Sequence, residues 1–243
     1  MSQFSFIEQK KDKNFDQTGS IEYFSEREIQ KALDFHKSIP DYAETNLSEL
    51  KDYSKSVGLK NVYVKDESSR FGINSFKGLG ASYAMGNIIA EKLGVPIEEL
   101  SFEEMISDEV REKLGEVTFI SCTDGNHGRG VAWVGEKLKQ KVYIYMNKGA
   151  AEDRVKNIEA LGAEVTVTDV NYDDTIRLVK ELGEEKGWVV VQDTSWEGYE
   201  DIPKWIMQGY ASLVLEAYQQ MEREQLEKPT HVFLQAGVGA MAG

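Results

Sequence analysis

The amino-acid sequence predicts an α/β protein that contains two domains with mostly parallel sheets. Its 243 residues are enough for one or two domains and for a substantial buried core. Short apolar segments rich in Val and Ile alternate with longer segments that have helical spacing. This alternation is typical of βαβ units, in which consecutive strands lie parallel in one sheet.

The first ninety residues mix helical and extended patterns. Ser25 is followed three residues later by Glu28, as in a capping box, which predicts a helix start. Gly58 is typical of a helix end. The segments expected here are a helix from Ser25 to His36, a short helix at 46–57, a strand at 62–65 and a helix at 76–93.

Strands and helices alternate regularly after residue 116. Strands are expected at 117–121, 142–146, 164–168, 188–192 and 231–235, with helices that begin near 126, 151, 172 and 203 between them. We assign 1–89 to the N-terminal part of a large domain, 90–225 to a small α/β domain and 226–243 to the start of the remaining large domain. A ligand is expected in the cleft between the two domains.

Composition restricts the possible classes of function. Asp and Glu (42) exceed Lys and Arg (28), and the formal net charge of −14 disfavours nucleic acid as a partner. The single cysteine, Cys122, excludes a disulfide within the chain and fits a reducing compartment. Residues 1–13 are polar, unlike a secretory signal, and no apolar run reaches the roughly 20 residues of a membrane span. The sequence therefore predicts a cytoplasmic protein.

A glycine-rich turn at 123–130 follows one predicted strand and opens a helix. Ligands bind at the carboxyl ends of strands in open α/β sheets, and helix N-termini favour anions. Asn126 and His127 add side-chain donors and acceptors there. The alternative is a simple turn in which Asp124 or Asn126 caps the helix.

A second glycine-rich segment, 237–243, follows the last predicted strand. Its backbone N–H groups could bind a phosphate, and the alternative is a tight turn. The segment lacks the Lys and Ser/Thr of a Walker A loop, and Ala242 stands where a dinucleotide-binding fingerprint needs glycine.

Lys77 and Asp193 are the charged side chains of greatest interest. Lys77 lies at a predicted helix start beside glycines, where a cation is unfavourable. A neutral lysine can form a Schiff base with a carbonyl compound, but a surface lysine is the alternative. Asp193 directly follows an apolar strand, so it is either an acid/base group or a solvated loop carboxylate.

Other chemistries find no support in the sequence. His36, His127 and His231 are scattered and lack the spacing of metal ligands. Cys122 lies at a strand end, where we interpret it as a packing residue. The Gly-x-Ser-x-Gly turn of serine hydrolases does not occur.

The order of these segments resembles the fold-type-II pyridoxal-phosphate enzymes, the group that includes tryptophan synthase β chains. Lys-Asp-Glu-Ser-Ser-Arg-Phe-Gly-Ile-Asn-Ser-Phe-Lys-Gly-Leu-Gly-Ala at 65–81 is similar to the lysine segment of the diaminopropionate ammonia-lyases. Thr-Asp-Gly-Asn-His-Gly-Arg-Gly-Val-Ala-Trp at 123–133 is similar to their second signature. Dehydratases more often have Ser-x-Gly-Asn-His-Ala, so Asp124 favours the ammonia-lyases.

The resemblance implies roles for individual residues. Lys77 matches the lysine that holds pyridoxal 5′-phosphate (PLP), and Asn126 matches the residue that hydrogen-bonds its 3′-oxygen. Asp124 and Asp193 match two aspartates that serve as acid/base groups near the substrate. The phosphate-binding loop is matched by Gly237, Val238, Gly239, Ala240, where many relatives have Ser, and Met241.

The implied reaction is the α,β-elimination of D- or L-2,3-diaminopropionate to pyruvate and ammonia, in a homodimer of three-layer α/β domains. A serine or threonine dehydratase-like lyase is the enzymatic alternative. Because the family continues beyond residue 243, the sequence is expected to be truncated. A non-catalytic fragment is therefore the alternative from a different class.

Overall fold

The computed structural model describes residues 22–242, so the polar segment 1–13 lies outside the described residues. The helices are α1 (Glu26–Lys37), α2 (Lys51–Val57), α3 (Lys77–Leu93), α4 (Phe102–Met105), α5 (Asp108–Leu114), α6 (Asn126–Leu138), α7 (Glu152–Glu159), α8 (Tyr172–Lys186) and α9 (Asp201–Arg223). The strands are β1 (Leu47–Glu49), β2 (Tyr63–Lys65), β3 (Thr118–Thr123), β4 (Lys141–Met146), β5 (Glu164–Val167) and β6 (Val189–Val190). None of these helices has the length and hydropathy of a membrane span.

Four parallel strands form the main sheet in the order β5-β4-β3-β6. Successive side chains of a strand point to opposite faces of its sheet. Phe119 accordingly packs into the core that includes α6, whereas Ile120 and Cys122 pack with Val179 of α8 on the other face. Helices cover both faces, so this part of the chain has three layers. The predicted α/β architecture with a parallel sheet is confirmed.

Helix α3 lies at the centre of the helical packing. Twelve of its residues are buried, and α1, α6 and α9 all pack against it. Gly209 of α9 approaches so closely that a Cβ atom there would lie 2.6 Å from the Leu79 carbonyl oxygen. Helix α9 thus packs on elements that the sequence-based division places in the large domain. The division at residues 89 and 225 stays a prediction.

The predicted helix at 46–57 is wrong in its first part. Leu47–Glu49 forms strand β1, which pairs antiparallel with β2, and α2 begins only at Lys51. Pairing with β2 provides hydrogen-bond partners for backbone N–H and C=O groups that would otherwise be paired within a helix. The sequence did not predict this strand because three residues are too few to show an alternation of apolar and polar side chains. The predicted stop at Gly58 is confirmed, because Gly58 ends α2 in the left-handed conformation.

The predicted strand at 231–235 is also wrong. The segment has no regular structure, and Val232 and Phe233 are 68% and 91% exposed. A strand is stable only when a neighbouring strand pairs with its backbone. None of the strands among residues 22–242 pairs with this segment. The apolar composition of 231–235 therefore predicted a strand, but no strand forms because no neighbouring strand pairs with this segment.

Candidate active site

The site is organised by an ion pair between Lys77 and Asp193, which are 116 residues apart in the sequence. Lys77 is the first residue of α3, and Asp193 follows β6 at its carboxyl end. Lys77 Nζ lies 2.7 Å from Asp193 Oδ2, and the Asp193 side chain is only 3% exposed. The structure thus joins two side chains that the sequence singled out separately.

Gln192 fixes the strand end that carries Asp193. Its side-chain oxygen accepts a hydrogen bond from the backbone N–H of Cys122 in β3 at 3.0 Å. Its own backbone N–H donates to the Tyr199 hydroxyl at 2.8 Å, and that hydroxyl donates to the Val190 carbonyl at 2.9 Å. These bonds tie the loop after β6 to the sheet, so the Asp193 carboxylate has a defined direction.

Close packing of two helix starts fixes the backbone of Lys77. A Cβ atom at Gly130 of α6 would lie 2.9 Å from both the carbonyl carbon and the oxygen of Lys77. Only glycine allows this approach. In addition, the Lys77 backbone N–H donates to Ser75 Oγ at 3.2 Å. The glycine-rich turn at 123–130 therefore positions Lys77 as well as opening its own helix.

Two aromatic rings complete the surroundings of the Lys77 amine. Nζ lies 5.4 Å from the ring centroid of Phe76 and 5.0 Å from that of Tyr210. Both rings and the Asp193 carboxylate stabilise a cation at this place. The sequence-based expectation considered only the helix start, which disfavours the charge. The structure adds three groups that favour it.

His127, which was expected to supply a donor or acceptor in the turn at 123–130, lies beside Asp193. Its Nε2–H donates to the Val191 carbonyl at 2.8 Å, and its Nδ1 lies 3.7 Å from Asp193 Oδ2. Burial lowers the pKa of His127, and the Lys77 charge adds to this effect while Asp193 opposes it. The ring is therefore neutral near pH 7, with an unprotonated Nδ1 that can only accept a hydrogen bond.

The Asp193 carboxylate is ionised near neutral pH. Burial disfavours its charged form, but the Lys77 ammonium, through its charge and its hydrogen bond to Oδ2, holds the pKa of Asp193 below its usual value. Its second oxygen, Oδ1, is buried without a hydrogen-bond partner. The carboxylate consequently has capacity for another donor.

Buried polar atoms without partners concentrate around this pair. Such atoms are rare in native proteins unless a ligand or water binds them. Within the described part of the chain, four of them belong to the site or its immediate neighbours: His127 Nδ1, Asp193 Oδ1, Thr194 Oγ1 and the Tyr210 hydroxyl. This concentration indicates a place for a polar ligand.

Asp124 and Asn126 lie at the carboxyl end of β3, where both are exposed. Neither caps α6: Thr123 Oγ1 accepts hydrogen bonds from the backbone N–H groups of Gly125 and Gly128 at 2.9 and 3.0 Å. The alternative of simple capping side chains is therefore wrong for both residues. Their roles near a ligand stay predictions.

The predicted phosphate-binding loop lies beside helix α9. Gly239 has a left-handed φ of +101°, and its carbonyl accepts a hydrogen bond from Ala242 at 2.8 Å. Ala240 and Met241 line an open groove of about 560 Å³ together with Tyr210. Tyr210 therefore contacts both this groove and the Lys77 amine. Phosphate binding by the loop stays a prediction.

The described residues contain no group of three or more His, Cys, Asp or Glu side chains arranged to hold a metal ion.

Residues 39–243 match the sequence profile of the family described as "Pyridoxal-phosphate dependent enzyme". The chain belongs to this family. The expectation that pyridoxal phosphate is the cofactor is confirmed.

Individual relatives are diaminopropionate ammonia-lyases. The protein of Salmonella typhimurium is 52% identical over 211 residues, which are 87% of this chain and 52% of that protein. The protein of Escherichia coli K12 is 51% identical over 243 residues, which are 100% of this chain and 60% of that protein. The chain thus spans about half to three fifths of the length of these relatives.

A solved structure of the E. coli enzyme is similar in fold as well. It contains an aminoacrylate-PLP azomethine reaction intermediate and superposes with a TM-score of 0.83 and 52% sequence identity. The match covers 90% of this chain and 54% of that chain. The fold-type-II architecture predicted from the sequence is confirmed.

The contact between Gly130 and Lys77 can be tested with Gly130→Ala. The new methyl group would collide with backbone atoms, so we expect a loss of about 1–3 kcal/mol in unfolding free energy. Because the collision displaces Lys77, its reaction with added PLP should slow about tenfold or more. Urea denaturation measures the first effect, and absorbance of the lysine imine measures the second.

Gly135→Ala is the matched control in the same helix. Its Cβ would lie 2.1 Å from Val142 Cγ2, a side-chain atom of β4, and no atom of Lys77 is among its three nearest contacts within 4 Å. We expect lost stability but an unchanged reaction of Lys77. Equal slowing by both substitutions would show that Gly130 has no special relation to the lysine.

Proposed function

We propose that the protein binds PLP through Lys77 and eliminates ammonia from 2,3-diaminopropionate to give pyruvate. The observation that carries this proposal is the ion pair between Lys77 and the buried Asp193, surrounded by polar atoms without partners. The identity of 51–52% to diaminopropionate ammonia-lyases supports the same reaction.

The residues around Lys77 suit the cofactor. Lys77 supplies the amine, Asn126 stands at a helix start where it can donate to a ring oxygen, and residues 237–241 offer backbone N–H groups for the phosphate. When bound, PLP serves as an electron sink for the carbanion that elimination requires. The protein then has to orient the substrate and move protons.

Substrate preference follows from the environment of Asp193. The site holds the side-chain –CH₂–NH₃⁺ of Lys77 between a carboxylate and two aromatic rings. The α-carbon of diaminopropionate carries the same –CH₂–NH₃⁺ group, whereas serine and threonine have a neutral hydroxyl on the β-carbon. Once Lys77 has moved away, Asp193 can bind the β-ammonium of the substrate. The β-ammonium then replaces the Lys77 ammonium as the cation beside Asp193, so the carboxylate stays ionised and holds this cation rather than protonating it.

Proton abstraction at Cα requires a base on the correct face of the substrate. Lys77, when its amine is free, is one such base. Asp124, exposed at the carboxyl end of β3, is proposed as the second. Bases on opposite faces would allow one site to process both enantiomers of diaminopropionate.

A substrate panel of diaminopropionate, serine and threonine, with release of 2-oxo acid as the measurement, tests the proposed reaction. We expect diaminopropionate to be preferred, and Asp193→Asn to reduce its kcat/KM by about 100-fold because the ammonium loses its counter-charge. The effect on serine should be below about tenfold. Asp201→Asn, which changes an exposed carboxylate paired with Lys204, is the matched control.

The panel also separates the alternatives. Preference for serine or threonine would support a dehydratase-like lyase. PLP binding without release of 2-oxo acid from any substrate would support a non-catalytic fragment. Either result contradicts the proposed ammonia-lyase activity.

The two-base proposal is tested with Asp124→Asn and the separate D and L enantiomers. We expect turnover of one enantiomer to fall about 100-fold while the other stays within roughly threefold, because each face has its own base. The unaffected enantiomer is the internal control. Full turnover of both enantiomers by the variant would exclude Asp124 as a base.

A homodimer and a cytoplasmic location are proposed as well. The family resemblance supports the dimer, and the single cysteine, Cys122, fits a reducing compartment. Sedimentation of the purified protein measures the first property, and cell fractionation measures the second.

A further inference from the structure

A buried ion pair lies between α9 and the segment that precedes Lys77. Arg70 and Glu216 are 1% and 2% exposed. Arg70 Nη2 donates to Glu216 Oε2 at 2.8 Å, and Nη1 donates to Oε1 at 3.2 Å. This is the two-pronged geometry in which a guanidinium binds a carboxylate most specifically. The pair is outside the group of residues proposed to touch the cofactor.

Further polar groups complete the surroundings of this pair. Glu67 accepts from Arg70 Nη2 at 2.7 Å, and Lys65 forms an ion pair with Glu216. The Tyr42 hydroxyl also donates to Glu216. The network thus contains two cations, Lys65 and Arg70, and two carboxylates, Glu67 and Glu216, so its net charge is zero. Burial opposes ionisation of Glu216, but Arg70, Lys65 and Tyr42 lower its pKa to about 2, so the network is charged at neutral pH.

The chain between this network and Lys77 has a strained backbone. Phe71 and Asn74 have φ values of +51° and +53°, which side-chain-bearing residues rarely adopt. Such conformations persist only where the surrounding structure holds them. Arg70 directly precedes Phe71, so the ion pair fixes the chain at the point where the strained segment begins.

The strained segment is packed directly against the start of α3. The Phe71 ring stacks on Trp133 of α6 with centroids 4.7 Å apart. A Cβ at Gly78 would lie 2.9 Å from Phe71 Cδ2 and 3.0 Å from Ile73 Cδ1. The Phe71 and Ile73 side chains are therefore in close contact with Gly78, the residue next to Lys77. A shift of the segment would move the lysine.

We propose that Arg70 and Glu216 are positioning residues that hold Lys77 against Asp193 through the strained segment 71–74. Helix α9 carries both Glu216 and Tyr210, so it contacts the lysine directly and also anchors the chain that leads to it. The role assigned to Lys77 rests on the proposed function. The contacts of the segment itself are independent of that function.

The test is the double variant Arg70→Met/Glu216→Leu. Removing both charges together keeps the network neutral, because one cation (Lys65) and one carboxylate (Glu67) remain, whereas either single change would leave a net charge in the buried network. In the protein without cofactor, we expect amide hydrogen exchange at 71–78 to become at least about tenfold faster, since the strain is released. With PLP added, the Kd of PLP should rise by a similar factor because Lys77 is less well oriented.

Arg223→Met is the matched control. Arg223 also lies on α9 and pairs with Glu44, but these side chains are 58% and 36% exposed and neither is hydrogen-bonded to residues 65–78. In Arg223→Met, the rate of amide hydrogen exchange at 71–78 and the Kd for PLP should equal those of the wild type. If the double variant fails to fold, Tyr42→Phe keeps the ion pair and removes one hydrogen bond to Glu216, and it should speed exchange at 71–78 about twofold.

Exchange at 71–78 equal to that of the wild type would overturn the proposal. So would acceleration that is equal at β3 and α6, because it would mean a general loss of stability. Failure of the proposed function has a different signature: the wild type itself would not bind PLP, while the exchange result at 71–78 would be unaffected.

Discussion

The ion pair between Lys77 and Asp193 is the constraint on which the rest of the site depends. A carboxylate that is 3% exposed is costly unless a cation pairs with it. Bringing the cation there requires the start of α3 to reach the carboxyl end of β6. The close contact of Gly130 with the Lys77 backbone and the ties of Gln192 to β3 satisfy this requirement. The packing of α3 against α6 and the ties of the loop after β6 to the sheet therefore determine whether Lys77 can pair with Asp193.

The same environment explains why an amine is the proposed leaving group. The place that holds the Lys77 ammonium is apolar on the side of Phe76 and Tyr210 and anionic on the side of Asp193. The carboxylate and the rings are already oriented for an incoming ammonium, so little ordering cost is added when it binds. This preorganisation favours a substrate with a β-ammonium over one with a β-hydroxyl. A hydroxyl in its place would leave the carboxylate without a counter-charge. Substrate choice and lysine placement thus follow from one arrangement.

Much of the site was predictable because it obeys local rules. Asp193 and the turn at 123–130 follow strands of a parallel sheet, and such strand ends meet at one edge. The start of α3 at Lys77 followed from helical spacing and flanking glycines. The flanks of Lys77 also carried the family resemblance. Local pattern and motif were therefore enough to select both members of the ion pair.

Other features depend on contacts that no local pattern reveals. His127 becomes a site residue only because the Val191 carbonyl and Asp193 lie beside it. Tyr210 lies inside a long helix and has the sequence pattern of a core aromatic. The Arg70–Glu216 pair joins residues 146 positions apart. The segment 231–235 shows the converse, because a strand-like composition forms no strand without a partner.

The role of Lys77 is tested most directly by identifying the amine of this protein that reacts with PLP. The protein is incubated with PLP, reduced with borohydride, digested and analysed by mass spectrometry. The buried carboxylate and the two rings orient Lys77, so the label should be found on the peptide that contains Lys77 and should be lost in Lys77→Ala. A label spread over exposed lysines, with none on Lys77, would contradict the central role of this residue.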